Sequence, residues 1–494
     1  MRHVDYNTLL GVYSPCCSLL KTVCSKENIT VNNSSICAPG KKNTVKFVVM
    51  AFVGVFMFMV PIPDGQGAFN IPLGFAIGWL GGALNSVQVN GFGLLFLLAA
   101  LVITASFMGS VLAYTAKPAF IMNSEKLKGL FHCNIVYFVS KAVGFVIVWL
   151  VFFSIGPGWL IGVDTGGLMM ELIATSNTGL MAIFIIIGFA IPLLTDFGLM
   201  EFLGVLIKKV IRFLFTLPGR SSIDLLGSWF SSSAASVIIT RDQLEKGYYT
   251  GREAAAICVN FTLVSLPFTF VVASTVGLTA HFPLFYLVIC VTAILLAIIM
   301  PRIWPLRGIK DEYLPEVGKQ IDEEAPQNIS LFSQAARLAA VRASKTTPAQ
   351  VIKYGLSNWL NIFMDLIPVI LAWGTLALII NEVTPIFRWL SWPFGQFMLL
   401  LQVPGAMEYA PAAIVGFIDM YIPALLLRTD APIVTRFVLG ALSIVQIIYM
   451  AETGILILKS KIPLNIGHLA IIFLMRTVLA LPVIVLLTRL LFHP

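Results

Sequence analysis

Long uninterrupted apolar runs constrain the fold of this chain more than any other feature of its sequence. Runs such as 91–116 and 281–303 exceed the roughly 18 residues that an α-helix needs to cross a lipid bilayer. Charged residues make up only 11% of the 494 residues, whereas soluble proteins carry about 25%. A soluble globular enzyme, a disordered scaffold and a fibrous protein are therefore excluded. The sequence predicts an all-α polytopic membrane protein embedded in a lipid bilayer.

The apolar runs predict nine spans and a weaker tenth candidate. The nine lie at 46–62, 91–116, 135–155, 178–194, 254–277, 281–303, 355–380, 432–458 and 463–490. The weaker stretch, 68–84, contains Pro72 and several glycines, so it is compatible with a re-entrant or interfacial segment as well as with a tenth span. We therefore expect about nine to ten transmembrane helices.

Basic residues set the expected orientation. The net charge is +8, and the Lys and Arg residues cluster in loops beside the spans, as the positive-inside rule requires of cytoplasmic loops. This pattern is unlike a nucleic-acid footprint, so no nucleic-acid partner is expected. It predicts a polar cytoplasmic tail at 1–45, N-terminal transmembrane helices at 46–195, and a cytoplasmic linker at 304–352. Part of that linker, 330–345, is compatible with a short amphipathic helix.

Two related segments, 196–303 and 353–490, form an internal repeat. Pro218-Gly219 recurs as Pro404-Gly405, 186 residues later, and Arg252 recurs as Arg436, 184 residues later. In each copy an amphipathic stretch (196–217 or 384–402) precedes the Pro-Gly, and a segment rich in small residues follows it. We interpret these as an interfacial helix and a re-entrant hairpin. Three spans separate the hairpins, so the two should enter from opposite faces, as in the inverted repeats of secondary transporters.

A hairpin inside the membrane must break its helix, and such backbone is tolerated only where it is buried in protein or lines a wet cavity. Gly227 and Gly416 are the expected break points. An ionised carboxylate at the bilayer centre costs about 2.5–3.5 kcal/mol, so buried acids there usually hold a partner. The predicted substrate- and ion-binding residues are polar side chains in or just after the hairpins: Ser221, Ser222, Asp224, Ser228, Ser231, Ser232, Asn260, Ser265, Glu408, Asp419, Gln446 and Glu452.

Simpler structural roles remain open for each of these residues. The serines also suit close helix packing, the amides suit interhelical hydrogen bonds, and the acids suit ion pairs with Arg252 or Arg436. The chain contains no phosphate-binding GKS/T loop, no HExxH, and no histidine in either hairpin to serve as a base. Catalysis, a metal site and a cofactor are therefore not expected, apart from a coupling Na⁺ or H⁺. The four tail cysteines match no zinc pattern; they are Cys16, Cys17, Cys24 and Cys37.

Several motifs resemble those of the YjiH-like bacterial inner-membrane proteins. They are the stretch from Gly251 to Ile257, the stretch from Ser265 to Phe268, the stretch from Tyr449 to Gly454, and the stretch from Leu458 to Pro463. That family carries the nucleoside-recognition, or Gate, domain, which it shares in outline with concentrative nucleoside transporters and the membrane part of FeoB iron transporters. The resemblance covers about 44–490. It implies a multi-pass protein of the bacterial inner membrane with paired hairpins, here in two Gate-like repeats.

These features predict a secondary transporter that moves a small polar solute by alternating access, coupled to Na⁺ or H⁺. Nucleosides are the solute class that the resemblance suggests, and amino acids or small peptides fit the acidic, serine-rich segments equally well. The alternative is a membrane partner or sensor subunit without transport of its own. A homo-oligomer or a membrane-protein partner is compatible with either reading.

Overall fold

The computed structural model describes most of the chain as membrane-length and shorter helices. The described residues are 41–63, 69–89, 92–133, 135–162, 165–175, 179–215, 217–230, 232–318, 330–427 and 431–491. The predicted tail with its four cysteines therefore lies outside them, except for its last residues, which begin the first helix.

The helices up to the first repeat are α1 Lys41–Met59, α2 Pro72–Ser86, α3 Leu94–Tyr114, α4 Ala119–Met122, α5 Glu125–Phe131, α6 Ile135–Phe153, α7 Gly158–Ile161, α8 Gly166–Met170 and α9 Leu180–Thr195. A π-helical turn, Glu171–Thr175, follows α8. Two short antiparallel pairs accompany them, β1 Ile62–Pro63 with β2 Phe69–Asn70 and β3 Gln88–Val89 with β4 Phe92–Gly93.

The first repeat contains α10 Leu199–Phe215, α11 Ser221–Phe230, α12 Ser233–Glu245, α13 Gly251–Asn260, α14 Leu266–Thr275 and α15 Phe282–Ile299. Short 3₁₀ turns flank α15, and α16 Leu331–Lys345 follows. The remaining elements are α17 Pro348–Asn361, a π-turn Ile362–Leu366, α18 Ile367–Val383, α19 Ile386–Leu400, α20 Ala406–Tyr409, α21 Pro411–Val415, α22 Ile422–Leu427, α23 Ile433–Val445, a π-turn Met450–Gly454, α24 Ile455–Leu458 and α25 Ile466–Leu491.

The all-α polytopic fold is confirmed, with a smaller number of continuous spans than predicted. The described residues contain seven helical stretches long and apolar enough to cross a membrane, or eight when α9 and α10, which meet at 56°, count as one. The prediction of one continuous span at 254–277 is wrong, because the chain leaves the helix between Asn260 and Leu266. The predicted span at 432–458 contains a similar break after Val445. The weak stretch at 68–84 corresponds to α2, whose 15 residues are too few to cross a bilayer.

The chain divides into two compact units. Within the described residues the first comprises Leu73–Pro192 and Pro348–Thr384. Its long helices α3, α6 and α18 pack against one another. Gly144 of α6 permits one close approach, since a Cβ there would lie 2.7 Å from the carbonyl oxygen of Pro368.

A buried ion pair lies inside the first unit. Lys141 of α6 is fully buried, and its Nζ lies 2.7 Å from Asp365 Oδ1 and 2.7 Å from the carbonyl oxygen of Leu130. Asp365 belongs to the π-turn before α18, and Ser106 of α3 donates to the carbonyl of Met364 in the same turn. The pair thus joins two helices at membrane depth, where an unpaired charge would be costly.

The second unit comprises Pro39–Pro72, Leu193–Thr347 and Pro385–Pro494. The amphipathic helix predicted at 330–345 is present as α16, which packs against α1 and α10 through a row of buried alanines. Arg342 of α16 donates to Asp196 Oδ1 at 2.9 Å. Lys46 of α1 donates to the carbonyls of Ala343 and Thr346, at the C-terminal end of α16. Both predicted hairpins lie in this unit.

Candidate functional site

Two apolar helices of the second unit are interrupted at equivalent positions of the internal repeat. The first interruption follows Asn260, at the end of α13, and the second begins at Gln446, directly after α23. These residues are 186 positions apart, the same offset that relates Pro218 to Pro404. At the second interruption Ile447 has a φ of +65°, a conformation that β-branched residues rarely adopt. The breaks are therefore a repeated feature of the fold.

The first hairpin consists of α11 and α12, which pack as antiparallel arms around a break near Ser232. The hydroxyl of Ser232 accepts a hydrogen bond from the backbone N–H of Ala234 at 3.2 Å and so caps the N-terminus of α12. Ser231 lies outside the described residues. The expectation that Gly227 marks the break is wrong: Gly227 is buried within α11, and a Cβ there would lie 3.5 Å from Ile239 of the other arm, an ordinary contact distance.

Glu452 meets the tip of this hairpin from the second repeat. It belongs to the π-turn Met450–Gly454, and its Oε1 accepts hydrogen bonds from Ser232 Oγ at 3.2 Å and from the N–H of Ala234 at 3.4 Å. The carboxylate thus faces the N-terminal end of α12, where the helix dipole favours negative charge. Sequence analysis proposed both Ser232 and Glu452, and the structure brings them together.

The second hairpin consists of α20 and α21 on one side and α22 on the other, with its turn at 416–418. This turn pairs with the second interrupted helix through the backbone. Met450 N donates to Phe417 O at 2.9 Å, and Ala451 N donates to Ile418 O at 3.0 Å. Asp419 directly follows Ile418, and Glu452 directly follows Ala451. The charges of these two carboxylates lie close enough to interact. Asp419 also accepts a hydrogen bond at 2.8 Å from the N–H of Tyr421.

Gln446 fastens the second break to the second hairpin. Its Nε2 donates to the carbonyl of Ala413 at 2.7 Å and to Thr477 Oγ1 at 2.8 Å. Its Oε1 is buried without a hydrogen-bond partner among the described residues. Gly416 approaches this oxygen so closely that a Cβ would lie 2.3 Å from it. The expected break at Gly416 is therefore confirmed in position, because this glycine ends α21 where only a hydrogen fits.

Arg476 is a residue of the site that sequence analysis missed. It lies in the middle of α25 and is fully buried. Its guanidinium contacts both breaks: Nη1 lies 2.9 Å from Asn260 Oδ1, and Nη2 lies 2.7 Å from the carbonyl oxygen of Val445. A charged residue inside the apolar run 463–490 was the available signal, because such residues rarely enter a span without a function or a partner.

Asp224 lies away from the hairpin tip and has its own partners. Oδ1 accepts a hydrogen bond from Thr240 at 2.8 Å and Oδ2 accepts one from Tyr249 at 2.6 Å, and all three groups are buried. These contacts join the arms of the first hairpin. The structure does not bring Asp224 together with Asp419 or Glu452, so it supports a structural role for this carboxylate.

The remaining predicted serines are buried, and two of them lie at the first break. Ser228 donates to the carbonyl of Phe261 in the interruption, and Ser265 begins α14 at the other end of it. Ser221 donates to the carbonyl of Pro218 at 2.8 Å, which closes the turn before α11. The hydroxyl of Ser222 is buried with no partner among the described residues. Ser228 thus contacts the break itself, and Ser221 serves the start of the hairpin.

Glu408 occupies a different environment from the other predicted acids. It is exposed on α20, one turn after the Pro404-Gly405 turn, at the start of the second hairpin. The structure therefore separates Glu408 from the hairpin tips, although sequence analysis proposed Glu408 and Asp419 alike as binding residues. The described residues contain no group of three or more His, Cys, Asp or Glu side chains that could hold a metal ion.

Comparisons with known proteins give a family match and two similar solved structures. The Gate family, described as nucleoside recognition, matches residues 178–279, a range that runs from the start of α9 past the end of α14. Two solved structures of CNTnw are similar. The match to an inward-facing substrate-bound state covers 85% of this chain and 99% of the CNTnw chain. The match to a variant in the intermediate 1 state covers 90% of this chain and 98% of the CNTnw chain. Their identities are 14% and 13% and their TM-scores 0.36 and 0.39, values too low for a residue correspondence.

A curated relative is much closer in sequence. An uncharacterized protein of Alkalihalophilus pseudofirmus is 42% identical over 452 residues, which is 91% of this chain and 95% of the relative. The apolar helices of the described residues are those of a multi-pass membrane protein, and the Gate match assigns a domain described as nucleoside recognition to residues 178–279. The chain therefore belongs to the family of the Alkalihalophilus pseudofirmus protein and is a multi-pass membrane protein with a Gate, or nucleoside-recognition, domain.

Proposed function

We propose that this protein is an ion-coupled secondary transporter of a small polar solute, with nucleosides as the solute class. The observation that carries the proposal is the meeting of both hairpins with a helix broken at the repeat-related position. Ser232 and Ala234 of the first hairpin contact Glu452, and the turn of the second hairpin pairs with the backbone beside it. Broken helices at a repeat interface are where secondary transporters bind their solutes.

The chemistry of the site suits a solute that carries hydroxyl and N–H groups. Asp419 and Glu452 are partly accessible carboxylates and can accept hydrogen bonds from such groups. Hydrogen bonds to a charged acceptor contribute about 1.5–3 kcal/mol each. A ribose offers hydroxyl donors and a base offers N–H donors, so a nucleoside can supply donors to both carboxylates. The nucleoside-recognition description of the matching domain supports the same class.

An amino acid or small peptide fits this arrangement less well. The carboxylate of such a solute would favour a helix N-terminus, but the N-terminus of α12 already faces Glu452. The guanidinium of Arg476, the other positive group of the site, is engaged by main-chain and amide oxygens. A solute without a negative charge therefore suits the site better.

Transport would proceed by alternating access, with the two hairpins entering from opposite faces and the N-terminus in the cytoplasm of a bacterial inner membrane. Three predicted spans between the two hairpins, with the interrupted stretch at 254–277 counted as one crossing, and the distribution of basic residues support this topology. The acidic groups beside the breaks are the candidates for coupling to H⁺ or Na⁺.

Uptake into proteoliposomes tests the proposal. Purified protein is reconstituted and offered labelled nucleosides or labelled amino acids under an imposed H⁺ or Na⁺ gradient. We expect gradient-dependent accumulation of nucleosides, together with nucleoside-dependent stabilisation of the detergent-purified protein in thermal unfolding, since a ligand stabilises the state that binds it. Absence of accumulation for every nucleoside under both gradients would contradict transport. Stabilisation without accumulation would instead favour a sensor.

Cysteine accessibility tests the topology separately. Single cysteines at Gly219 and Gly405, at the entrances of the two hairpins, should react with a membrane-impermeant thiol reagent from opposite sides of the membrane. Labelling of both positions from one side would exclude an inverted repeat.

A further inference from the structure

One buried guanidinium lies where the two interrupted helices of the second unit end. α13 ends at Asn260 and α23 ends at Val445, and Arg476 donates hydrogen bonds to both ends. Nη1 lies 2.9 Å from Val259 O and 2.9 Å from Asn260 Oδ1, while Nε and Nη2 lie 3.0 Å and 2.7 Å from Val445 O. A single side chain thus closes two helix ends that are 185 residues apart in the sequence.

The electrostatics of these ends explain why a cation belongs between them. The last carbonyls of a helix lack intrahelical partners, and the helix dipole places about −0.5 elementary charge at each C-terminus. Two C-termini together present about one negative charge, which the single positive charge of an arginine balances. Among the described residues, no carboxylate lies within 4.0 Å of the Arg476 guanidinium, unlike the ion pairs formed by Lys141 and Arg342. The helix ends are therefore its counter-charge.

In transporters with broken helices, unwound carbonyls and half-helix C-termini commonly coordinate a coupling Na⁺. Here the carbonyls at the ends of both half-helices already bind a cation that is covalently part of the protein. Arginine keeps its charge in proteins, and its planar fork fixes several oxygens at once. A metal cation placed beside it would meet like-charge repulsion and oxygens that are already occupied.

We propose that Arg476 is a built-in cation that takes the place of Na⁺ between the two helix breaks, so that solute binding by this protein is independent of Na⁺. The inference rests on the proposed transport function only where it concerns coupling, and it leaves H⁺ as the coupling ion. It makes Arg476 a positioning residue, because it holds the end of α13, which carries Asn260, and the end of α23, which leads through the second break to Glu452.

Thermal unfolding of the purified protein tests this inference without any solute. The midpoint is measured in NaCl, KCl and choline chloride at equal ionic strength. We expect equal midpoints for the wild-type protein in the three salts. We expect Arg476→Ala to unfold at a lower temperature and to be partly rescued by millimolar guanidinium, which supplies the missing cation. The midpoint of Arg476→Lys should lie between those of the wild-type protein and Arg476→Ala, because lysine keeps the charge and lacks the planar guanidinium.

The matched control is Arg489→Ala. Arg489 lies on the same helix and also donates to a main-chain carbonyl, that of Leu401, at its exposed end. It should lose little stability and show no guanidinium rescue. A second measurement compares nucleoside binding to the wild-type protein in sodium and in choline, and we expect the same Kd.

Stabilisation of the wild-type protein by Na⁺ over choline, or nucleoside binding that requires Na⁺, would overturn the inference. Equal behaviour of Arg476→Ala and Arg489→Ala would do the same. If Arg476→Ala fails to fold, the unfolding midpoints of the wild-type protein in the three salts still test the inference. Failure to bind any nucleoside in any salt contradicts the proposed function and leaves the Na⁺ comparison of unfolding midpoints as a separate result.

Discussion

The carboxylate of Glu452 accepts a hydrogen bond from the hydroxyl of Ser232 at 3.2 Å, although 220 positions separate the two residues. This contact joins the tip of the first hairpin to the interrupted helix of the second repeat. Local sequence preferences cannot produce such a contact, which depends on both repeats being folded. It places one acidic group where the solute is proposed to bind.

Glu452→Gln should weaken nucleoside binding while leaving the fold intact. Glutamine keeps an oxygen that can accept from Ser232, but it lacks the charge. Since hydrogen bonds to charged groups contribute about 1.5–3 kcal/mol, a loss of about tenfold or more in affinity is expected. Isothermal calorimetry or a thermal-shift titration with nucleoside measures the change.

Glu408→Gln is the matched control, because Glu408 is exposed at the start of the second hairpin. It should leave the affinity unchanged. Equal losses from both substitutions would remove Glu452 from the proposed site.

Asp224→Ala should destabilise the protein more than it alters binding. The substitution leaves the buried hydroxyls of Thr240 and Tyr249 without their acceptor, and we expect a loss of about 3–5 kcal/mol. Tyr249→Phe removes one of the two bonds and should cost less. Thermal unfolding midpoints in detergent show which of the two variants loses more stability.

The control on the same hairpin is Asp242→Ala. Asp242 forms a partly exposed pair with Arg241, and such pairs contribute about 0–1 kcal/mol. An Asp224→Ala protein as stable as this control would show that the buried network does not hold the hairpin arms together.

Gly416→Ala should disturb the second hairpin. A Cβ at this position would lie 2.3 Å from Gln446 Oε1, so either the turn or the amide must shift. Overpacking of this kind costs about 1–3 kcal/mol, and nucleoside affinity should fall with it. Gly78→Ala provides the comparison, because a Cβ at Gly78 has no neighbour within 4 Å. If Gly416→Ala changed neither the stability nor the nucleoside affinity, the turn and the Gln446 amide would be shown to move apart at little energetic cost.

Lys141 and Asp365 should show strong energetic coupling. Removal of either partner leaves a buried charge, which costs about 3–5 kcal/mol. Lys141→Met combined with Asp365→Leu removes both charges, so the double variant should recover much of the stability that each single variant loses. Unfolding midpoints of the four proteins complete the cycle. Additive losses would indicate that the two charges act independently.

Much of the fold was readable from the sequence because its signals are local. Apolar runs located eight of the nine predicted spans. The nearly equal offsets from Pro218 to Pro404 and from Arg252 to Arg436 located the repeat. The breaks after Asn260 and Val445 were missed, because mostly apolar residues continue through both and hydropathy does not register backbone hydrogen bonding. Arg476, Lys141 and Asp365 carried a visible signal, a charge inside an apolar run, that the hairpin-centred reading did not use.

The sequence by itself determined that this chain enters a membrane, that its helices include a related pair of hairpin regions, and which segments form them. These properties follow from the length and polarity of short segments. Only the tertiary structure decided that Glu452 meets the first hairpin, that Glu408 faces outward and that Asp224 is satisfied within one hairpin. Those outcomes depend on where each helix breaks and on which face then turns inward. A guanidinium on a distant helix fixes the ends of both broken helices, so their arrangement is a property of the assembled unit.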